Sequence, residues 1–260
     1  MDGFWSWSLV LLMPLLLAAM IGAHEAGMRV HAWARRRGGG EDAAEGDEGF
    51  VLSGVLGLLA LLMGFSFSMA LSRLEDRRDL MLAETSAIGN LAMLAEGLPP
   101  ERAAALKTDL AAYAKARLVA AQMADGPERL AAAQQAAGLR VPLAGHIRAS
   151  LRELPSGPLT VALAGAYDAV EDTAVRRQAL SQAHLPARVL WLLAAYATIS
   201  AAMLGYALAG GGARHRVAST TLYLLIALAF AVILDLDRPR AGAITIDQTP
   251  FAEAVAGLGA

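Results

Sequence analysis

Apolar residues in this chain are gathered into blocks. Four stretches carry no Asp, Glu, Lys or Arg: residues 4–23, 49–72, 189–213 and 217–234. Each reaches the 18 or so residues needed to cross a hydrocarbon core of roughly 30 Å. The pattern therefore predicts four membrane-spanning helices. A signal peptide is the alternative for the first stretch. Its opening "MDGFW" holds no Lys or Arg, whereas a signal peptide opens on positive charge. Trp5, Trp7, Phe50, Trp191 and Tyr223 stand near span ends, as in the aromatic belt of a membrane–water interface. His24 and Glu25 are expected to close the first span there.

The second stretch passes into "SRLEDRRDL" without a Gly or Pro. Gly57, Ala60, Gly64, Ser68 and Ser72 recur every three or four residues, one small-residue stripe along a helix. Such a stripe lets another helix backbone approach closely. Leu61 and Phe65 lie beside it, one turn apart. Glu75, Asp76 and Asp79 continue at helical spacing, interleaved with Arg73, Arg77 and Arg78, and nothing breaks the helix before "GLPP". The membrane helix is thus expected to carry on as a charged stalk. Two readings compete for it. One is a close-packed helix whose charges form i,i+4 pairs, such as Asp76 with Arg73 or Arg77 nearby, and spacing alone favours it. The other is a pore-lining helix: an apolar constriction at Leu61 and Phe65, where water leaves readily, then a polar lining of Ser68, Ser72, Glu75, Asp76 and Asp79.

Residues 73–187 form the one segment long enough for an extramembrane domain. It is rich in Ala, Leu, Glu, Arg and Gln, which favour helix. "GLPPERAA", "DGPERLAA", "RVPLAGH" and "LPSGPL" punctuate it, and a Pro in the first turn marks a helix start. Three or four helices are predicted. "RRRGGGEDAAEGDEG" reads as a solvated loop between the first two spans, and "GGGARHR" as the turn between the last two. After the last span, "AITID" is the best strand candidate, and "DQTPFAEAVAGL" reads as a Thr-capped helix that docks on the middle domain. The expected organisation is residues 1–72 (two spans), 73–187 (helical domain), 188–236 (two spans) and 237–260 (tail).

Composition agrees with a membrane protein: 56% of the 260 residues are hydrophobic, above the usual range for soluble domains. A net charge of −2 gives no reason to expect nucleic acid, and the absence of Cys removes disulfide and thiolate chemistry. The five His residues lack an i,i+4 metal pair, and neither a Gly-x-Ser-x-Gly nor a P-loop is present. Asp235 and Asp237 form an acidic pair at a membrane surface, a pattern that can hold Mg²⁺ beside a phosphate-bearing lipid. No second acidic motif accompanies it, so pairing with Arg238 and Arg240 or with the middle domain is favoured. No catalytic residue, metal or cofactor is expected. Arginines near the spans number eight on one face and six on the other, and the first-helix rule favours the six, so charge does not decide sidedness.

"LLALLMGFSFSMALSRLEDRRDL", followed by "AIGN", resembles the second membrane helix of bestrophins. Gly64-Phe65, Ser68, Ala70, Arg73, Asp76 and Arg77 stand in the family's order, and "VILDLDRPRAG" is similar to a shortened form of the segment after its last span. More closely, the chain resembles a bestrophin-like family of bacterial membrane proteins. That resemblance implies an all-α, four-span pentamer in the inner membrane, with a helical cytosolic domain between spans two and three. It implies an ion channel whose neck is lined by apolar residues of the second helix. Phe65 matches the neck aromatic, and Leu61 follows one turn earlier. Gly57, one turn further back, is not bulky, a departure from a three-ring neck. Asp235, Asp237, Arg238 and Pro239 replace the acidic cluster of the calcium-binding members, so calcium control is not implied.

The leading expectation is a homo-oligomeric ion-conducting pore in a lipid bilayer, with inorganic ions as its cargo. The alternatives are a non-conducting scaffold or sensor, and a lipid-modifying enzyme built on Asp235 and Asp237.

Overall fold

In a computed structural model, the residues described are 9–37, 45–124, 126–209, 213–238 and 242–258. Every regular element among them is a helix: α1 (Leu9–Arg36), α2 (Glu45–Ala95), α3 (Pro100–Gln122), α4 (Pro127–Gly138), α5 (Arg140–Glu153), α6 (Pro158–Gln182), α7 (Ala187–Ala207), α8 (Ala213–Asp237) and α9 (Thr249–Leu258). Four helical stretches are long and apolar enough to cross a membrane, and they fall on α1, α2, α7 and α8. The chain is an all-α membrane protein. Its contacts divide it into two units, residues 1–72 with 184–237 and residues 73–183 with 238–260.

In the first unit, α1 packs along α7 and α8. Leu16, Met20, His24 and Gly27 are buried at helical spacing on α1, and Leu193, Ala197, Ser200 and Leu204 on α7. Contact is backbone to backbone at two glycines. A Cβ on Gly27 would lie 2.0 Å from the Ala202 carbonyl oxygen, and one on Gly205 2.1 Å from that of His24. No side chain fits there. Lipid is as apolar as Leu, so helices in it associate through close van der Waals packing, and small residues permit that packing.

Three expectations for this unit are corrected. Helix α1 runs on past His24 and Glu25, where the first span was expected to close, to Arg36. His24 is buried, and its Nδ1 lies 2.8 Å from the Tyr223 hydroxyl, so its polar edge is satisfied inside the helix packing. Tyr223 is accordingly no belt aromatic; it is 2% exposed. The loop after α1 is shorter than expected, because helix already covers Glu45 to Gly49, while residues 38–44 lie outside those described. Trp5 and Trp7 also lie outside them, as do all three glycines of the second turn.

In the second unit, Pro100, Pro127 and Pro158 each open a helix, where the missing N–H costs nothing. Four helices follow α2, the upper figure expected. The core gathers Met81, Ile88 and Leu91 of α2, Leu106, Leu110 and Tyr113 of α3, Ile147 of α5, and Leu163 and Val170 of α6. Phe251 of α9 joins this core and is 1% exposed, so the tail helix is part of the unit. "AITID" forms no strand, since no described strand stands beside it to share a ladder. The start of α9 is held by Asp247 rather than by a Thr cap. Its Oδ1 accepts the Thr249 N–H at 2.9 Å and the Thr249 hydroxyl at 2.6 Å.

Gly205→Ala and Gly27→Ala should each destabilise the detergent-purified protein by about 1–3 kcal/mol through overpacking. Gly22→Ala, where an added Cβ meets nothing within 4 Å, is the control and should be neutral. Thermal unfolding reads the difference; equal effects at all three positions would mean that α1 and α7 do not touch at these glycines.

Candidate pore face and a buried charge cluster

The faces of α2 are set by a seven-residue rhythm. Ala70, Arg77, Glu84 and Leu91 are all buried, with Leu59, Ser66, Met81 and Ile88 beside them. At 100° per residue these residues share one side of the helix. Leu61, Phe65, Ser68 and Ser72 fall within about 40° of a line on the opposite side, and the same register reaches Glu75 and Asp79. All six are exposed in the protomer, as is Asp76. Leu61 is 53% and Phe65 61% exposed, high for large apolar side chains.

The small stripe also faces outward. Gly57, Ala60 and Gly64 are exposed, and a Cβ on Gly57 or Gly64 would meet nothing within 4 Å. Gly27 and Gly205, by contrast, meet the backbone of another helix within the protomer. Ser66, on the buried side, returns its hydroxyl to the Leu62 carbonyl at 2.9 Å.

The charge run is divided by the same rhythm. Glu75, Asp76, Arg78 and Asp79 are exposed, whereas Arg77 is buried. Arg77 donates to the Ala183 carbonyl at 2.6 Å and to that of Leu180 at 3.4 Å. It thereby caps the end of α6, where the Leu180 carbonyl also accepts the Ala183 N–H at 3.3 Å and a cation suits the helix dipole.

Two turns further on is Glu84, which is fully buried. Arg117 of α3 grips it with both arms of its guanidinium, Nε to Oε1 at 2.8 Å and Nη2 to Oε2 at 3.0 Å. Arg177 of α6 donates to Oε2 at 2.5 Å, and the Tyr113 hydroxyl to Oε1 at 2.7 Å. Burial alone would raise the carboxyl's pKa, but the two guanidiniums more than offset it and hold it down at about 2. Burial, with the same carboxylate beside it, pushes the Tyr113 hydroxyl well above its ordinary range. Glu84 was legible in principle: in "MLAETSAIGNL" it is the one acid on the spacing of Met81, Ile88 and Leu91.

Asp235 and Asp237 are not brought together as a metal site, and no group of three metal-ligating side chains occurs among the described residues. Asp237 is fully buried. Its Oδ2 accepts the Leu185 backbone N–H at 3.0 Å, with His184 Nδ1 at 3.3 Å. This carboxylate secures the chain just before α7.

A family model described as a Bestrophin-like domain matches residues 21–251. The fold is similar to that of a tryptophan-to-alanine variant of a bacterial bestrophin homologue from Klebsiella pneumoniae, with a TM-score of 0.73 and 15% identity over 98% of each chain. A zinc-phased structure of a Klebsiella pneumoniae homologue gives 0.65 and 17% identity over 96% of each. An aspartate-to-alanine variant gives 0.69 and 15%, over 94% of this chain and 97% of the other. No curated protein matches the chain.

Glu84 has a depressed folded-state pKa, so its contribution is present above its ordinary value of 4.5 and is lost as pH falls towards about 2. That difference corresponds to on the order of 3 kcal/mol. Wild type should therefore lose stability between about pH 5 and 2 more steeply than Glu84→Gln. At neutral pH Glu84→Gln should cost about 3–5 kcal/mol, because it leaves buried guanidiniums without their anion. Parallel pH–stability curves for the two proteins would remove Glu84 from this role.

Proposed function

The chain belongs to the Bestrophin-like family, and from that premise we propose that it assembles as a homo-oligomeric ion channel with α2 lining the conduction path. The known members of this family are ion channels. The observation that carries the proposal for this chain is the uncovered face of α2: two bulky apolar residues, then two serines, then acids, all opposite the side that packs inward. Several copies around an axis would bring Leu61 and Phe65 into rings from which water is readily lost, closing the path without a charge. Ser68, Ser72, Glu75, Asp76 and Asp79 would then line the wider, polar part. Gly57, Ala60 and Gly64 flank this face and, being small, would let neighbouring copies come close.

A pentamer, a bacterial inner-membrane location and a cytosolic middle domain complete the reading, and these three rest on the family resemblance. No enzymatic activity is part of it. Asp237, half of the only acidic pair considered for lipid chemistry, is fully buried and engaged with backbone, which favours a structural role.

Phe65→Ala is the decisive variant. A pore-facing ring has few neighbours, so the oligomer should stay folded and ion flux in liposomes should rise. If Phe65 instead packs against another helix in the assembly, its loss should cost about 3–5 kcal/mol and break the oligomer. Electrical silence of both wild type and variant across voltage and pH, or simple unfolding of the variant, would replace the channel with a scaffold.

A further inference from the structure

We propose that the extramembrane unit binds a small tetrahedral oxyanion, of the phosphate or sulfate class, in a cavity among α3, α4 and α6. The cavity measures about 120 Å³ and is lined by Arg117, Arg129, Arg140 and Arg177, with Gln134 and Gln178 as further donors. No Asp or Glu lines it among the described residues.

Among the described residues, two of these guanidiniums share one anion. Arg117 and Arg177 share one carboxylate, that of Glu84, although their side chains are only 15% and 12% exposed. Arg140 is matched one to one, by Glu171 at 2.8 Å. Two guanidiniums drawn out of water against a single anion leave a positive charge that solvent screens poorly. An oxyanion in the cavity would supply the missing charge, and the planar guanidinium fork suits its geometry.

One feature of the fold opposes an anion: the end of α6, with Ser181 and Gln182, borders the cavity, and helix C-termini are negative. Arg77 weakens this opposition by taking the Leu180 and Ala183 carbonyls. On this measure one water needs roughly 10–15 Å³, so the space has room for an oxyanion. The site does not depend on whether the protein conducts.

Titration calorimetry of the detergent-purified full chain with sodium phosphate, at constant ionic strength, should show saturable binding that sulfate competes away and chloride does not. Arg129→Gln, outside the Glu84 cluster, should weaken binding about ten-fold or more, the loss of one charge-assisted contact. Ala133 also lines the cavity, so Ala133→Glu places a carboxylate inside. It should abolish phosphate binding and raise the unfolding temperature in phosphate-free buffer, which a merely disruptive change would not do. Dihexanoyl phosphatidic acid separates a free anion from a lipid headgroup; saturable binding of that lipid without binding of inorganic phosphate would overturn the free-anion site. Non-saturable responses of equal size in wild type and both variants would reveal a general salt effect and overturn the site altogether.

Discussion

A single carboxylate organises the extramembrane unit. Glu84 comes from α2, its bidentate partner Arg117 and its hydroxyl donor Tyr113 from α3, and its third charged contact Arg177 from α6. Arg177 in turn reaches Gln248 at 3.3 Å and lies over the ring of Phe251, so the tail helix is tied to the same point. A buried ion pair is weak evidence of stability in itself, since desolvation consumes much of the attraction. Here its geometry does something an apolar contact would not. Four directed bonds on two oxygens accept only one relative register of three helices. The apolar core around Met81, Leu110 and Val170 supplies the driving force. The carboxylate selects among the packings which that core would otherwise tolerate.

The membrane unit solves the same problem without charge. Its helices are surrounded by residues as apolar as lipid, so burial of apolar surface does not discriminate one packing from another. Register comes from shape: Gly27 and Gly205 allow the backbones of α1 and α7 to touch, and any side chain there would collide. The His24–Tyr223 hydrogen bond adds one directed contact between α1 and α8. Small residues thus have two uses in this chain. On α1 and α7 they are consumed inside the protomer. On α2 they stay uncovered.

That difference marks the limit of what the sequence disclosed. The four spans, the all-helical class and the helix starts at Pro100, Pro127 and Pro158 were legible, because hydrophobic blocks and proline act locally. The stripe of Gly57, Ala60 and Gly64 was legible as a stripe, but spacing does not say which partner it meets. His24 and Glu25 looked like the interfacial end of a span because a polar pair after twenty apolar residues usually is one. What cancels that signal is Tyr223, about two hundred positions away. Glu84 was hidden by its surroundings: in a run rich in acids and arginines, one more carboxylate reads as solvated. Only its position on the apolar rhythm of α2 sets it apart. The partners that decide its state come from α3 and α6.

The rhythm of α2 connects these observations. Ala70, Arg77, Glu84 and Leu91 are spaced by sevens, and each is buried. A helix that commits one side so completely has no freedom in what it shows on the other. Leu61, Phe65, Ser68 and Ser72 are therefore exposed because the opposite positions are taken, not because their own character directs them outward. For serines and acids, water compensates such exposure. For a phenylalanine it does not, and only lipid or another copy of the chain can. The sequence of that face, apolar for one turn and increasingly polar after it, matches lipid only over its first part. A surface that begins as lipid would have it and ends as water would have it suits a lining around a path between the two. This is the physical reason to read α2 as a pore helix rather than as a membrane anchor with a charged end.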